Sequence, residues 1–226
     1  MKKIIIIPAR YGSSRYKGKP LVKILKREMV LRVADICSKV VGKKDLFIAT
    51  DNKKISNVAK MAKYNVVMTS SKCLTGTDRV AEVAKKIKAK IKYPKHVICG
   101  YDKIHKYENP SSINLPKVVV NKNQELVYIS RSVIPGSKKK TKDLTYLKQV
   151  CIYAFNKYEL SKFYSKKKKG KIEGIEDIEI LRFFDLGIKI KMIKLNSNSI
   201  AVDEVKDVKK AEKLIRKKYF LNARKR

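Results

Sequence analysis

The sequence predicts an α/β fold, with a doubly wound, mostly parallel sheet of the Rossmann-like kind. Lys3–Pro8 is a continuous apolar run ending in Pro-Ala-Arg, the pattern of a strand buried on both faces of a parallel sheet and closed by a turn. Strand and helix periodicities then alternate through residue 70, the order that right-handed βαβ winding requires. The 226 residues suffice for one such domain with a full core, or one with a small appendage.

In chain order, Lys3–Pro8 is expected as the central strand. Residues 29–41 show helical periodicity, 45–51 an apolar strand, 52–64 a helix and 65–70 a short strand. Ligands of such sheets bind beyond the carboxyl ends of the strands. Pro8-Ala9-Arg10 and Ala49-Thr50-Asp51 both fall there and face one crevice. Thr77 is placed to cap a helix over 78–91, with Asp78 in its first turn. A strand is expected at 95–101. The polar stretch 102–116, with Asn109-Pro110 and Leu115-Pro116, forms a loop, and strands follow at 117–121 and 125–135. After a basic loop at 136–145 come a strand at 146–155 and a short helix at 157–164. Ile175, Ile178, Leu181 and Phe184 recur at three-residue steps, predicting one helix over 173–187 ended by Gly187. Strands at 189–195 and 199–202 and a helix over 204–218 finish the fold, with 222–226 frayed. No repeat or interdomain linker interrupts the chain, which reads as a single domain over 1–226.

Lys and Arg number 56 against 20 Asp and Glu, a net charge of +36. That charge attracts polyanions. The basic residues are mostly Lys and run along the whole chain, without the interleaved aromatics or basic helix of a recognition module, so a solvated surface is expected over a nucleic-acid face. No run approaches the roughly 18 apolar residues of a membrane helix, and the opening apolar run is too short for a signal peptide, so a soluble cytoplasmic protein is expected. Cys37, Cys73, Cys99 and Cys151 form no CxxC pair and read as free, mostly buried thiols.

The loop Pro8-Ala9-Arg10-Tyr11-Gly12-Ser13-Ser14-Arg15, closed by Gly18-Lys19-Pro20, combines small residues with three cations. Ala9, Gly12, Ser13 and Ser14 let backbone N–H groups approach a phosphate chain, and Arg10, Arg15 and Lys19 supply charge. It is neither GxxxxGK[ST] nor GxGxxG. On residue types alone, a generic basic turn is the alternative.

Read whole, IIIIPARYGSSRYKGKPL resembles the amino-terminal signature of the sugar-acid cytidylyltransferases, particularly the CMP-Kdo synthetases. The similarity continues through Ala49-Thr50-Asp51, MTSSKCLTGTDRVAEV, LVYISRSVIPG, LKQVCIYAF, IEGIEDIEILR and SIAVDEVKDV. It implies a nucleotide-diphospho-sugar transferase fold and a cytidylyltransferase that uses CTP, a 3-deoxy-octulosonate-type sugar acid and Mg²⁺ for lipopolysaccharide synthesis. It also implies a homodimer, with 125–200 carrying the sugar-binding and dimerisation part. Nucleotide binding would fall to Pro8, Ala9, Arg10, Ser13, Arg15, Lys19, Thr75, Gly76, Thr77 and Arg79, with Lys19 and Arg10 catalytic. Ser130, Arg131, Gln149, Tyr153, Glu176 and Glu179 would meet the sugar acid, with Glu173 a further candidate, and Asp203 would bind the metal. Gln149 and Cys151 stand where the family usually has His and Gly, which leaves open an amino-substituted or other ulosonic acid.

Each segment also has a structural alternative: a capped turn at Thr75–Arg79, a solvated helix face for the glutamates, a helix cap at Asp203. The family's V-Q-G-D-E-P strand, which carries a second magnesium ligand, has no counterpart here, with Asp102 a conceivable substitute. That loss implies weak or absent turnover and leaves open a truncated relative that binds nucleotide or a partner subunit.

Overall fold

The computed structural model describes residues 3–12, 16–88, 96–138, 144–197, 201–202 and 204–223, with side chains to Lys217. The chain divides into two compact units, Met1–Val83 with Asn198–Arg226, and Ala84–Ser197.

The first unit opens with β1 (Ile5–Pro8), followed by the hairpin β2 (Lys23–Ile24) and β3 (Arg27–Glu28). Then come α1 (Met29–Val41), β4 (Leu46–Thr50), α2 (Lys53–Met61), β5 (Asn65–Met68) and the start of α3 (Gly76–Lys86). α1 matches its predicted range because Val30, Leu31 and Ala34 turn inward at helical spacing and Gly42, at φ 71°, ends it. Asn52 caps α2 by accepting from the Lys54 N–H at 2.9 Å. β1, β4 and β5 form a parallel sheet in that order. Its core gathers Ala9, Leu46, Ile48, Ile55, Ala59 and Tyr64 with the inner face of α1.

The middle strand of this sheet is β4, whereas the sequence places β1 at the centre. Among the described residues β1 pairs with β4 alone, because the next long strand in the chain joins a different sheet. The helix after β5 begins at Gly76, and its cap is Thr75 in place of the expected Thr77. The Asp78 N–H donates to Thr75 Oγ1 at 3.2 Å, and Asp78 Oδ2 accepts from the Thr75 N–H at 2.9 Å, a reciprocal box, while Thr77 is buried within the first turn of the helix.

The second unit contains β6 (Val97–Lys103), β7 (Lys117–Val120), β8 (Leu126–Ser130), β9 (Leu147–Ala154), α4 (Lys157–Ser165), α5 (Lys171–Glu176), α6 (Arg182–Asp185) and β10 (Ile190–Lys194). Its strand order is β10-β6-β9-β7-β8. Only the β10–β6 pair is parallel, so this sheet is mainly antiparallel. A bridge from Glu125 to Lys191 brings the start of β8 back to β10 and curls the sheet. Phe163, Phe183, Ile129, Ile180 and Leu181 fill its core.

The single helix expected over 173–187 is broken. Asp177 adopts the left-handed conformation at φ 48°, ψ 45°, and Ile178 is extended, separating α5 from a 3₁₀ turn at Glu179–Leu181 and from α6. Three-residue steps suit such a turn as well as a helix. Gly187, at φ 65°, ends α6 as expected, with the Ile188 N–H returning to Phe183 O. Ala201 and Val202 join no strand, and 199–200 of the strand expected there lie outside the described residues. The closing helix α7 (Val205–Ala223) outruns its predicted end, taking in Asn222, and packs Ala211 on Ile24 and Val202 in the first unit.

Candidate functional site

The phosphate-loop candidate starts from a fixed point. The Ala9 N–H donates to Ala49 O at 2.8 Å, and Ala9 is buried between exposed Pro8 and Arg10. The loop closes where the Gly18 N–H donates to Tyr11 O at 2.9 Å. Gly18 has φ 73°, and a Cβ there would stand 3.3 Å from the Tyr11 ring, so glycine is needed on both counts. Lys19 and Pro20 then open a 3₁₀ turn at Lys19–Leu21. Arg10 and Lys19 thus flank one hydrogen-bonded neck at the carboxyl end of β1. Ser13 and Arg15 lie outside the described residues, as does Asp203.

The second nucleotide candidate begins α3 in the same unit. Thr75 and Gly76 are half-buried in the capping turn, and Thr77 and Arg79 are buried. Arg79 donates to Thr69 Oγ1, and its Nη2 lies 2.9 Å from Asp51 Oδ2. Its guanidinium, expected to bind the nucleotide, is therefore engaged with residues at the ends of β4 and β5.

The sugar-acid candidates lie in the second unit and fall into two groups. In the first, Glu176 accepts from the Ser130 hydroxyl at 2.5 Å and from the Arg131 N–H at 2.8 Å. The Arg131 side chain donates to the carbonyls of Glu176, Ile113 and Asp177 at 2.5, 2.7 and 2.9 Å. This guanidinium, expected to meet the sugar acid, thus caps the end of α5. Lys117, fully buried, donates to Ser112 O at 3.0 Å and to Arg131 O, and burial pushes its ammonium below the usual lysine range.

In the second group the Gln149 amide donates to the Tyr153 hydroxyl at 3.0 Å. Burial pushes the Tyr153 phenol well above its ordinary value, with Cys151, Glu179 and Cys99 adding to the effect. Burial likewise raises the Cys99 thiol to about 12. Gln149, Tyr153 and half-buried Glu179 therefore offer neutral hydrogen-bonding groups beside one carboxylate.

Two other nominations turn inward. Glu173 is completely buried, with its oxygens 2.7 Å from Arg182 Nε and Nη2, so it faces neither a sugar nor solvent. Asp102 accepts from the N–H groups of Lys103 and Ser197 at 2.8 and 2.7 Å, and both its oxygens are engaged. Neither the inward pairing of Glu173 nor the burial of Lys117 has a local signal in the chain, since each depends on a partner from another element.

A basic loop at the carboxyl end of a strand in a parallel α/β unit stands where such sheets bind ligands, and similarity to known proteins defines the class. The cytidylyltransferase family matches residues 4–102. The 3-deoxy-manno-octulosonate cytidylyltransferase of Escherichia coli is 30% identical over 249 aligned positions, covering 98% of this chain and 99% of that protein. The 8-amino-3,8-dideoxy-manno-octulosonate cytidylyltransferase of Shewanella sp. (strain W3-18-1) is 31% identical over 242 positions, covering 94% and 98%. Among solved structures, a CMP:2-keto-3-deoxy-manno-octonic acid synthetase complexed with CTP matches with a TM-score of 0.83 at 30% identity, covering 95% of this chain and 98% of that one. A CTP:phosphocholine cytidylyltransferase from Streptococcus pneumoniae, at 13% identity and a TM-score of 0.59, shares the fold alone. The protein is a nucleotidyltransferase. Full-length identity at this level places the chain in the 3-deoxy-manno-octulosonate cytidylyltransferase (CMP-Kdo synthetase) family.

Proposed function

We propose that this chain transfers the cytidylyl group of CTP to a 3-deoxy-octulosonate-type sugar acid, supplying lipopolysaccharide assembly as a cytoplasmic homodimer. The sugar hydroxyl oxygen attacks the α-phosphorus, the bond to the β-phosphate breaks, pyrophosphate leaves, and the hydroxyl proton passes to solvent. The observation that carries this reading is the loop neck, which fixes Arg10 and Lys19 around the carboxyl end of β1 in a chain that aligns throughout with such enzymes. Arg10, Arg15 and Lys19 hold the triphosphate and offset the charge that develops on it. Pro8, Ala9, Ser13, Thr75, Gly76 and Thr77 line the nucleoside, with Arg79 stiffening that turn. On the sugar side, Gln149, Tyr153 and Glu179 meet hydroxyl groups, while Arg131 and Glu176 fix the wall that carries them. Among the described residues no three His, Cys, Asp or Glu side chains gather at a metal-sized site. The Mg²⁺ role is assigned to Asp203, and the chemistry assigned to the described residues is binding and charge neutralisation.

One observation favours a second reading, a nucleotide-binding relative with impaired turnover. The match to the Escherichia coli enzyme runs over 249 positions against a chain of 226 residues, so that enzyme has positions with no counterpart here. Pyrophosphate release from CTP, Mg²⁺ and Kdo separates the two. Turnover abolished by Asp203→Ala supports the enzyme, whereas CTP binding without release supports the relative.

A further inference from the structure

Among the described residues, one buried side-chain oxygen has no hydrogen-bond donor: Oδ1 of Asp51. A carboxylate oxygen taken out of water without a donor carries the penalty of its lost hydration, and a ligand that brings a donor to it relieves that penalty. Asp51 directly follows β4, the middle strand of the parallel sheet. Beside it, the Ala9 N–H is bound to Ala49 O on one flank, and the Thr69 N–H to Thr50 O at 2.9 Å on the other. The carboxylate therefore stands at the ligand end of the sheet, between the phosphate loop and the turn leading to α3. Its other oxygen, Oδ2, is held 2.9 Å from Arg79 Nη2, and Arg79 is itself tied to Thr69 Oγ1. With Oδ2 fixed, the direction of Oδ1 is fixed too.

We propose that Asp51 is a specificity-determining residue that selects the base, with Oδ1 accepting from the exocyclic amino group of cytosine. The proposal rests on the CTP-binding reading above. Cytosine and uracil differ at this position in polarity of hydrogen bonding, a donor amine against an acceptor oxygen, and an acidic side chain accepting from the cytosine amine is an established pairing. An anionic acceptor rejects uracil twice over, because it loses the donor it needs and faces a second lone pair. A ribose hydroxyl could also supply a donor, but it would leave cytidine and uridine nucleotides equally bound.

Calorimetric binding of CTP, UTP and 2′-deoxy-CTP to the full chain tests this in wild type, Asp51→Asn, Asp51→Ala and Thr69→Val. Wild type is expected to bind CTP about 10- to 100-fold more tightly than UTP. In Asp51→Asn the amide can donate to the uracil oxygen, so the ratio falls to about unity or inverts. Asp51→Ala, which lacks any polar group there, also loses the preference. Thr69→Val loosens Arg79 but leaves Oδ1, so it keeps the wild-type ratio even where both affinities drop. Melting curves identify any variant that does not fold, and the two Asp51 substitutions serve as alternatives to each other. Equal weakening of CTP and UTP by both substitutions overturns the proposal and assigns Asp51 a structural role. A wild type that discriminates against 2′-deoxy-CTP only until Asp51 is replaced overturns it in favour of the ribose. Wild type that binds none of the three nucleotides overturns the CTP reading as well, which separates the two failures.

Discussion

Arg10 and Lys19 flank the two sides of a closed neck, and their substitution should act differently from that of residues inside the walls. Loss of one charge-assisted phosphate contact is worth about 1.5–3 kcal/mol. Arg10→Ala is therefore expected to weaken CTP binding by roughly 10- to 100-fold without changing the melting temperature, as calorimetry and thermal unfolding would read. Tyr153 carries a pH prediction. Its phenol is raised above the ordinary value of 10.0, so the stability it contributes is complete below that pH and is lost as pH climbs through it towards the folded-state value. Urea unfolding of wild type should weaken from about pH 10 upward, and Tyr153→Phe should remove part of that decline. Identical pH profiles for the two proteins would contradict the burial of the hydroxyl. Of these features, the clustering of the loop cations was legible in the sequence because they lie close together in the chain. The inward turn of Arg79 was not, since its partner Asp51 lies 28 positions away. Nothing in the pattern around Glu173 distinguishes a buried carboxylate from a solvated one until Arg182 is folded against it.

Between α5 and α6 the chain is held by the buried pair of Glu173 and Arg182, with the Arg182 guanidinium 3.9 Å from the centre of the Phe163 ring. Removing one partner leaves a buried charge alone, which typically costs about 3–5 kcal/mol, whereas replacing both by apolar groups of similar volume is often far milder. Glu173→Leu and Arg182→Met should each lower the denaturant midpoint sharply, and the double variant should recover much of the loss. Additive losses would contradict a shared buried pair. The break at Asp177 shows why element boundaries escape the sequence here. Apolar residues at three-residue steps fit both a helix and a 3₁₀ turn, and it is Arg131, from the end of β8, that holds the carbonyls of Glu176 and Asp177. α1, by contrast, was legible to the residue, because its inward face and its terminating glycine are both local signals. The cap of α3 was displaced by two residues for a similar reason, as Thr75 and Thr77 are equivalent in composition and only the Asp78 contact separates them.

Over the whole molecule, a net charge of +36 in 226 residues makes self-repulsion a term that salt can relieve. The melting temperature should rise as sodium chloride increases from low to physiological strength, and a flat or falling curve would contradict unscreened surface repulsion. The α/β class was legible because β1, β4 and β5 alternate with helices in sequence. The edge position that β1 takes among the described residues was not, because strand order depends on which later strand is free to pair, and β6 pairs with β9 and β10. Family membership rests on near-complete alignment at about 30% identity, and the proposed reaction assigns triphosphate binding to the loop at the head of that alignment. The most direct measurement is mass spectrometry of the full chain incubated with CTP, Mg²⁺ and Kdo. The expected result is a CMP-sugar phosphodiester formed in step with pyrophosphate, and unconsumed CTP with no CMP-sugar at any enzyme concentration would contradict the proposed reaction.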